Sequence, residues 1–211
     1  GIHKIVVLDD DPTGTQTVAN VPVYTGWDEE SIKDIFANEY LLNFILTNSR
    51  AFSEEKTVQV HQEIALNLKK SAAVTEKKYL LISRADSTLR GHYPTETEVL
   101  RRELEKDNTI CFDGEVICPY FAEGGRYTID NVHYVRYGSE LIPAAETEFA
   151  KDETFGYHES DLKKYIHEKT EGRFKEDEVV DISLEELSDV RINEIVSKLK
   201  AVEHFNKIIV N

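Results

Sequence analysis

The sequence IVVLDDDPTGTQT, residues 5–17, places three carboxylates and three threonines directly after a short apolar run. The apolar run predicts a buried strand, and the polar residues predict that the strand ends there. An aspartate at such a strand end can attack a phosphoryl group, bind Mg²⁺ or take a proton from a hydroxyl. The stretch alone therefore leaves open a nucleophile, a metal site and a substrate site.

Apolar runs and amphipathic segments alternate along most of the chain. Short apolar runs predict further strands at residues 21–24, 44–47, 79–82, 116–118, 179–182 and 208–210. Segments with helical periodicity predict helices at residues 29–39, 53–72, 95–105, 160–169 and 187–199, and Ser53 and Thr95 are the predicted N-caps of the second and third. Strands separated by helices need crossover connections, so we expect an α/β fold with three α/β/α layers and a mostly parallel sheet.

Residues 124–150 break this alternation with glycines, tyrosines and alternating apolar residues, which predicts a hairpin or an irregular insertion. No linker or repeat is visible, so residues 1–211 are interpreted as one domain. Asn211 directly follows an apolar, strand-like run, and we therefore expect the chain to be a fragment of a longer protein.

The composition disfavours several classes of protein. The chain has 211 residues and a formal net charge of −15, without the dense basic cluster that nucleic acid requires. It has no long apolar segment and no signal peptide, so we expect a cytoplasmic protein with no membrane contact. Its histidines form no metal-binding spacing, and Cys111 and Cys118 form no CxxC pair, so we expect no metal site and ordinary buried thiols.

A second polar segment, SRADSTLRGH at residues 83–92, also follows a predicted strand. Its arginines can bind a carboxylate, its hydroxyls and aspartate can bind sugar-like hydroxyls, and its glycine permits close approach of the backbone. The candidate residues are Arg84, Asp86, Ser87, Thr88, Arg90 and Gly91. The alternative is an Arg–Asp ion pair that only stabilises the loop. Ligands of parallel sheets bind at the carboxyl ends of strands, which favours one site formed by both segments.

A third segment, EGGRYT at residues 123–128, again combines glycine, arginine and hydroxyl groups. Arg126 is the candidate for binding there, and a glycine turn with a surface arginine is the equally plain alternative.

One interpretation of the opening stretch is a phosphatase. Asp9-x-Asp11-x-Thr13 resembles the nucleophile motif of haloacid-dehalogenase-type phosphatases, with Asp9 as the nucleophile. That family also uses a later acidic motif, GDxxxD or DDxxxD, to hold Mg²⁺, and the chain contains neither. The phosphatase interpretation is therefore disfavoured.

A different alignment of the same stretch resembles the four-carbon acid sugar kinase family. Its DDxTG motif matches Asp10-Asp11-x-Thr13-Gly14, and its (K/R)xDSTxRG motif matches residues 84–91. Residues 124–128, 133–135 and 146–152 also look like one branch of that family. The resemblance implies the N-terminal, substrate-binding domain of an ATP-dependent kinase that phosphorylates a terminal hydroxyl of a threonate, an erythronate or a 3-oxo-tetronate.

In that family a separate C-terminal domain supplies most of the nucleotide site. The chain contains neither GxxxxGK[ST] nor GxGxxG, so we expect ATP and Mg²⁺ to act only in the longer protein and this chain alone to be inactive. The expected partners are a sugar acid and the C-terminal domain, and a homo-oligomer is compatible with the sequence. The alternative outside enzymes is a protein that binds the same metabolite as a sensor.

The resemblance suggests roles for individual residues. Arg84 and Arg90 are assigned to the substrate carboxylate, and Asp86 and Ser87 to its hydroxyls. Asp10 or Asp11 is expected to orient or deprotonate the attacking hydroxyl, and the sequence leaves this choice open. The remaining predicted substrate contacts are Thr13, Gly14, Thr88, Gly91 and, for the carboxylate or a phosphate, Arg126.

Overall fold

The computed structural model describes residues 1–13, 20–189 and 191–211. The chain folds as two compact units, although no boundary is predicted from the sequence. The first unit contains Gly1–Asp86 and Gly91–Ile110, and the second contains Ser87–Arg90 and Cys111–Asn211. The short segment of residues 87–90 thus belongs to the second unit, whereas both of its flanks belong to the first.

The first unit is built on a parallel sheet of four strands in the order β2-β3-β1-β4. Its strands are β1 (Lys4–Asp9), β2 (Val23–Tyr24), β3 (Leu42–Leu46) and β4 (Tyr79–Arg84). Its helices are α1 (Glu29–Ala37), α2 (Glu54–Thr75) and α3 (Thr95–Glu105). The strand β1 lies inside the sheet because its run of apolar residues can be buried on both faces.

The helix α2 packs against both α1 and α3. Its buried face contains Val60, Ile64 and Leu68, which recur every four residues as the sequence predicts. Ser53 caps this helix as expected, with Oγ 3.2 Å from the amide nitrogen of Lys56. Thr95, predicted as the cap of α3, is instead the first residue inside that helix.

The register of the sheet aligns the polar strand ends. Asp9 at the end of β1 lies beside Arg84 of β4 on one side and Leu46 of β3 on the other. The two segments that the sequence singles out therefore begin at the same edge of one parallel sheet.

The second unit contains two sheets of three strands. One is parallel, in the order β5-β10-β9, and the other is antiparallel, in the order β6-β7-β8. Its strands are β5 (Gly114–Ile117), β6 (Arg126–Ile129), β7 (Val132–Tyr137), β8 (Glu140–Pro143), β9 (Val180–Ile182) and β10 (Asn206–Val210). Its helices are α4 (Leu162–Lys169), α5 (Leu184–Ser188) and α6 (Ile192–Lys200).

The predicted α/β class is confirmed, with parallel sheets, helices and an antiparallel insertion at residues 126–143 where a hairpin is predicted. The parallel strands are divided between two sheets. The prediction of buried thiols is wrong, because Cys111 and Cys118 are exposed in or beside short connections. Among the described residues, no helix is long and apolar enough to cross a lipid bilayer.

Candidate functional site

Three consecutive aspartates end the strand β1. Asp9 and Asp10 are buried, whereas the side chain of Asp11 is 29% exposed. The amide of Asp11 donates to Oδ1 of Asp9 at 3.1 Å, which turns the chain at the strand end. The amide and hydroxyl of Thr13 donate to the carboxylate of Asp11 at 3.2 and 3.0 Å. Thr13 therefore orients Asp11, and Gly14 lies outside the described residues.

Arg50, which the sequence did not single out, binds two of these aspartates. Its Nη2 lies 2.7 Å from Oδ1 of Asp10, and its Nε donates to Oδ2 of the same carboxylate at 3.3 Å. Its Nη1 donates to Oδ2 of Asp11 at 2.9 Å. Arg50 stands in the turn after β3, and polar residues at the end of this predicted strand are the signal that could have identified it.

The environment of Asp10 shifts its proton affinity. Asp10 is 1% exposed, and burial raises its pKa from 3.8 to about 7 although the bonds to Arg50 oppose the rise. The nearby carboxylates of Glu96 and Asp9 raise this pKa further. Burial also raises the pKa of Asp9, against its hydrogen bond from Asp11 and the charge of Arg84. Asp10 can therefore exchange a proton near neutral pH.

Arg84 is the second arginine that contacts an aspartate at the end of β1. Its Nη1 lies 3.4 Å from Oδ2 of Asp9, and its side chain is 37% exposed. The ion pair that the sequence suggested as an alternative thus exists, but it joins Arg84 to Asp9. Asp86 is in the same unit, and a Cβ added at Gly91 would lie 3.0 Å from Cβ of Ala85 and 3.4 Å from Oδ2 of Asp10. Gly91 therefore permits close packing against Ala85 and Asp10.

The segment of residues 87–90 is held within the second unit through its carbonyl groups. His133 Nε2 lies 2.6 Å from the carbonyl oxygen of residue 87. The hydroxyls of Tyr157 and Tyr165 donate to the next two carbonyls, of residues 88 and 89, at 2.7 and 3.2 Å. Three buried side chains therefore fix three consecutive peptide groups, which include the predicted contacts Ser87 and Thr88.

The two candidate arginines of the second unit lie near one aromatic ring. The guanidinium carbons of Arg90 and Arg126 lie 4.8 and 5.8 Å from the centre of the Phe149 ring. Nε of Arg90 also donates to the Thr88 hydroxyl at 3.2 Å, and Nη1 of Arg126 donates to the carbonyl of Gly124. The second unit thus brings Arg90 and Arg126 together.

The described residues do not fit a metal centre of their own. Within the described ranges, no group of three or more His, Cys, Asp or Glu side chains could hold a metal ion. The carboxylates of Asp10 and Asp11 are both bound by Arg50.

The predicted site residues are divided between the two units. Six of them are in the first unit, namely Asp10, Asp11, Thr13, Arg84, Asp86 and Gly91. Four are in the second unit, namely Ser87, Thr88, Arg90 and Arg126. Their roles in binding or catalysis stay predictions.

Several solved structures are similar to the chain. A protein of Salmonella typhimurium LT2 matches all of the chain with 17% identity and a TM-score of 0.68, over 48% of its own length. A Haemophilus influenzae protein of the DUF1537 family matches 98% of the chain with 16% identity and a TM-score of 0.67, over 47% of its length.

A domain of unknown function from Bordetella bronchiseptica, solved as a domain-swapped dimer with bound citrate, matches 98% of the chain. It has 18% identity and a TM-score of 0.62, over 46% of its own length. At these identities the matches show a shared fold. The chain spans about half the length of the structures that it matches.

No curated protein matches the chain at a significant level. The family model described as a sugar-binding N-terminal domain matches residues 5–211, which is nearly the whole chain. This match confirms the resemblance that the DDxTG and RxDSTxRG motifs suggest. The chain therefore belongs to the family of sugar-binding N-terminal domains.

Proposed function

We propose that this chain is the substrate-binding part of an ATP-dependent kinase that phosphorylates a terminal hydroxyl of a four-carbon sugar acid. The observation that carries the proposal is the cluster of Asp10, Asp11 and Arg50 at a strand end of a sugar-binding domain. Phosphoryl transfer depends mainly on positioning and charge, and a carboxylate that orients the attacking hydroxyl is a recurring part of it.

Geometry favours Asp11 as the carboxylate that contacts the hydroxyl. Its side chain is 29% exposed, whereas that of Asp10 is 1% exposed and contacts Arg50 through both oxygens. A general base must reach the proton that it takes, so position is weighed before pKa. In the proposed mechanism Asp11 receives the proton, and Asp10 holds Arg50 beside it.

The arginines supply the positive charge that an anionic substrate requires in a chain of net charge −15. In the first unit, Arg84 is partly exposed, and its contact with Asp9 is long, at 3.4 Å, so its guanidinium can also bind the carboxylate of a sugar acid. In the second unit, Arg90 and Arg126 are candidates for the carboxylate or for a phosphate. Asp86 and Ser87 remain the proposed partners of the sugar hydroxyls.

The proposed ligand class agrees with the citrate in the Bordetella domain, because citrate is also a hydroxy acid. That domain is a domain-swapped dimer, and we propose that this chain can likewise form a homo-oligomer. ATP and Mg²⁺ are assigned to the longer protein, since the described residues fit no metal centre and the sequence has no phosphate-binding glycine loop.

Isothermal titration calorimetry with erythronate and threonate tests the binding part of the proposal. Arg84→Ala and Asp86→Ala each remove a charged group, worth about 1.5–3 kcal/mol, so the affinity should fall about 10- to 100-fold. Lys70→Ala is the matched control, because Lys70 forms an exposed ion pair with Glu29 in the same unit. Unchanged affinity in both site variants would contradict the assignment.

Turnover is tested in the longer protein that contains the nucleotide-binding part. Asp11→Asn should abolish ATP-dependent phosphorylation while sugar-acid binding is retained. The chain alone should phosphorylate nothing. Phosphorylation by it would contradict the proposal that the nucleotide site is supplied by the rest of the longer protein. Binding without phosphorylation by the longer protein would instead indicate a metabolite sensor.

A further inference from the structure

A buried carboxylate lies close to the charged cluster of the first unit, which consists of Asp9, Asp10, Asp11, Arg50 and Arg84. Glu96 is 4% exposed in the first turn of α3. Its Oε1 accepts a hydrogen bond from the Ser49 hydroxyl at 2.8 Å, and its Oε2 accepts one from the Ser83 hydroxyl at 3.2 Å. A buried carboxylate is costly unless it is bound in this way, so the two serines are obligatory partners.

Both serines directly precede an arginine of the cluster. Ser49 precedes Arg50, which binds Asp10 and Asp11 at 2.7 and 2.9 Å. Ser83 precedes Arg84, which lies 3.4 Å from Asp9. The same carboxylate is therefore bound to the backbone segments that carry both arginines, one after β3 and one at the end of β4.

The far side of Glu96 faces a histidine. Nδ1 of His61 lies 2.7 Å from the carbonyl oxygen of Thr57, so Nδ1 carries the proton and donates it. Nε2 of His61 lies 3.9 Å from Oε2 of Glu96 and has no hydrogen-bond partner among the described residues. Burial raises the pKa of Glu96 and lowers that of His61.

We propose that Glu96 is the positioning residue for both arginines that face Asp9, Asp10 and Asp11, acting through Ser49 and Ser83. Glu96 contacts neither the aspartates nor a ligand. It fixes the relative position of two arginines, one in the turn after β3 and one at the end of β4, and this position decides which anion the two can bind. The inference deepens the proposed sugar-acid site and rests on it for its functional meaning.

The side-chain Nε–Hε signals of Arg50 and Arg84 in nuclear magnetic resonance spectra test the positioning directly, without any ligand. Ser49→Ala should move the Arg50 signal, Ser83→Ala the Arg84 signal, and Glu96→Leu both. Ser71→Ala, at a buried serine of α2, is the control that should move neither. A Glu96→Leu variant that is less stable but keeps both arginine signals unchanged would overturn the proposal.

The serine variants keep the test decisive if Glu96→Leu does not fold. Ser49→Ala and Ser83→Ala each delete one hydroxyl, and if neither moves the signal of its neighbouring arginine the proposal is wrong. Erythronate affinity is the second readout, and it should fall about tenfold in Glu96→Leu. In Ser49→Ala and Ser83→Ala the affinity should fall by a smaller factor. If the unmodified protein binds no erythronate, the proposed function fails, whereas the arginine signals still decide the role of Glu96.

Discussion

The replacement Asp10→Asn tests the physical state of the central carboxylate. Asp10 is 1% exposed, and burial raises its pKa to about 7, against the opposing hydrogen bonds from Arg50. Asparagine has nearly the same shape and cannot ionise. Arg50 keeps its bond to Asp11 at 2.9 Å in the variant, so its charge is not left buried alone.

The magnitude follows from the difference between the folded and unfolded pKa values. The folded pKa of about 7 lies above the ordinary value of 3.8, so the folded protein holds the proton more tightly than the unfolded chain. The wild-type protein therefore loses stability as the pH rises from about 4 to about 7, and no further above that. At about 1.4 kcal/mol per pKa unit, the loss amounts to about 4 kcal/mol.

Urea denaturation at several pH values between 4 and 8 measures this effect. Trp27, the single tryptophan of the chain, is in the first unit, so its fluorescence reports the unfolding of the unit that contains Asp10. The stability of Asp10→Asn relative to wild type should rise by about 4 kcal/mol across this range and level off above pH 7.

Asp107→Asn is the matched control in the same unit. Its hydrogen bonds from Thr109 lower the pKa of Asp107 below its ordinary value, so its titration falls below the tested range. The stability difference of this variant should be flat from pH 5 to pH 8. If the difference for Asp10→Asn is equally flat, Asp10 titrates as an exposed carboxyl and the reasoning about its burial is refuted.

Two further predictions concern buried groups that form hydrogen bonds. Lys4→Met removes three short hydrogen bonds from a buried ammonium and should lower the free energy of unfolding by about 3 kcal/mol, measured by denaturation with tryptophan fluorescence. Lys70→Met, at an exposed lysine, should lower it by under about 1 kcal/mol. Equal losses of stability in the two variants would contradict the expectation. Tyr157→Phe removes the hydroxyl that donates to the Thr88 carbonyl, so it should lower the free energy of unfolding by about 1 kcal/mol and speed amide hydrogen exchange in residues 87–90. Tyr137→Phe, at an exposed tyrosine, should leave this exchange unchanged. Unchanged exchange in both variants would show that Tyr157 does not fix the loop.

The sequence predicted the elements that depend on local pattern. The apolar run before Asp9 indicates a buried strand, and the four-residue recurrence of Val60, Ile64 and Leu68 indicates a helix with one buried face. The antiparallel insertion was predicted from its alternating residues for the same reason. Local pattern also placed Asp9 and Arg84 at one edge of the sheet, because parallel strands end on the same side.

The parts that the sequence did not predict depend on contacts between distant residues. Arg50 is about forty positions from the aspartates that it binds, and although it follows a predicted strand, its neighbours in the sequence do not indicate which side chains it binds. Glu96 resembles any acidic residue in the first turn of a helix, and only its burial against Ser49 and Ser83 reveals another role. The sequence does not predict the division into two units, because residues 87–90 have no linker composition.

The path of the chain through the RADSTLRG motif limits how the protein can be divided. The chain leaves the first unit after Asp86, contributes four residues to the second, and returns at Gly91. A fragment that stopped at Ile110 would retain those four residues and lose the histidine and tyrosines that bind their carbonyls. Replacement of either unit alone would likewise separate the motif from the side chains that bind its carbonyls.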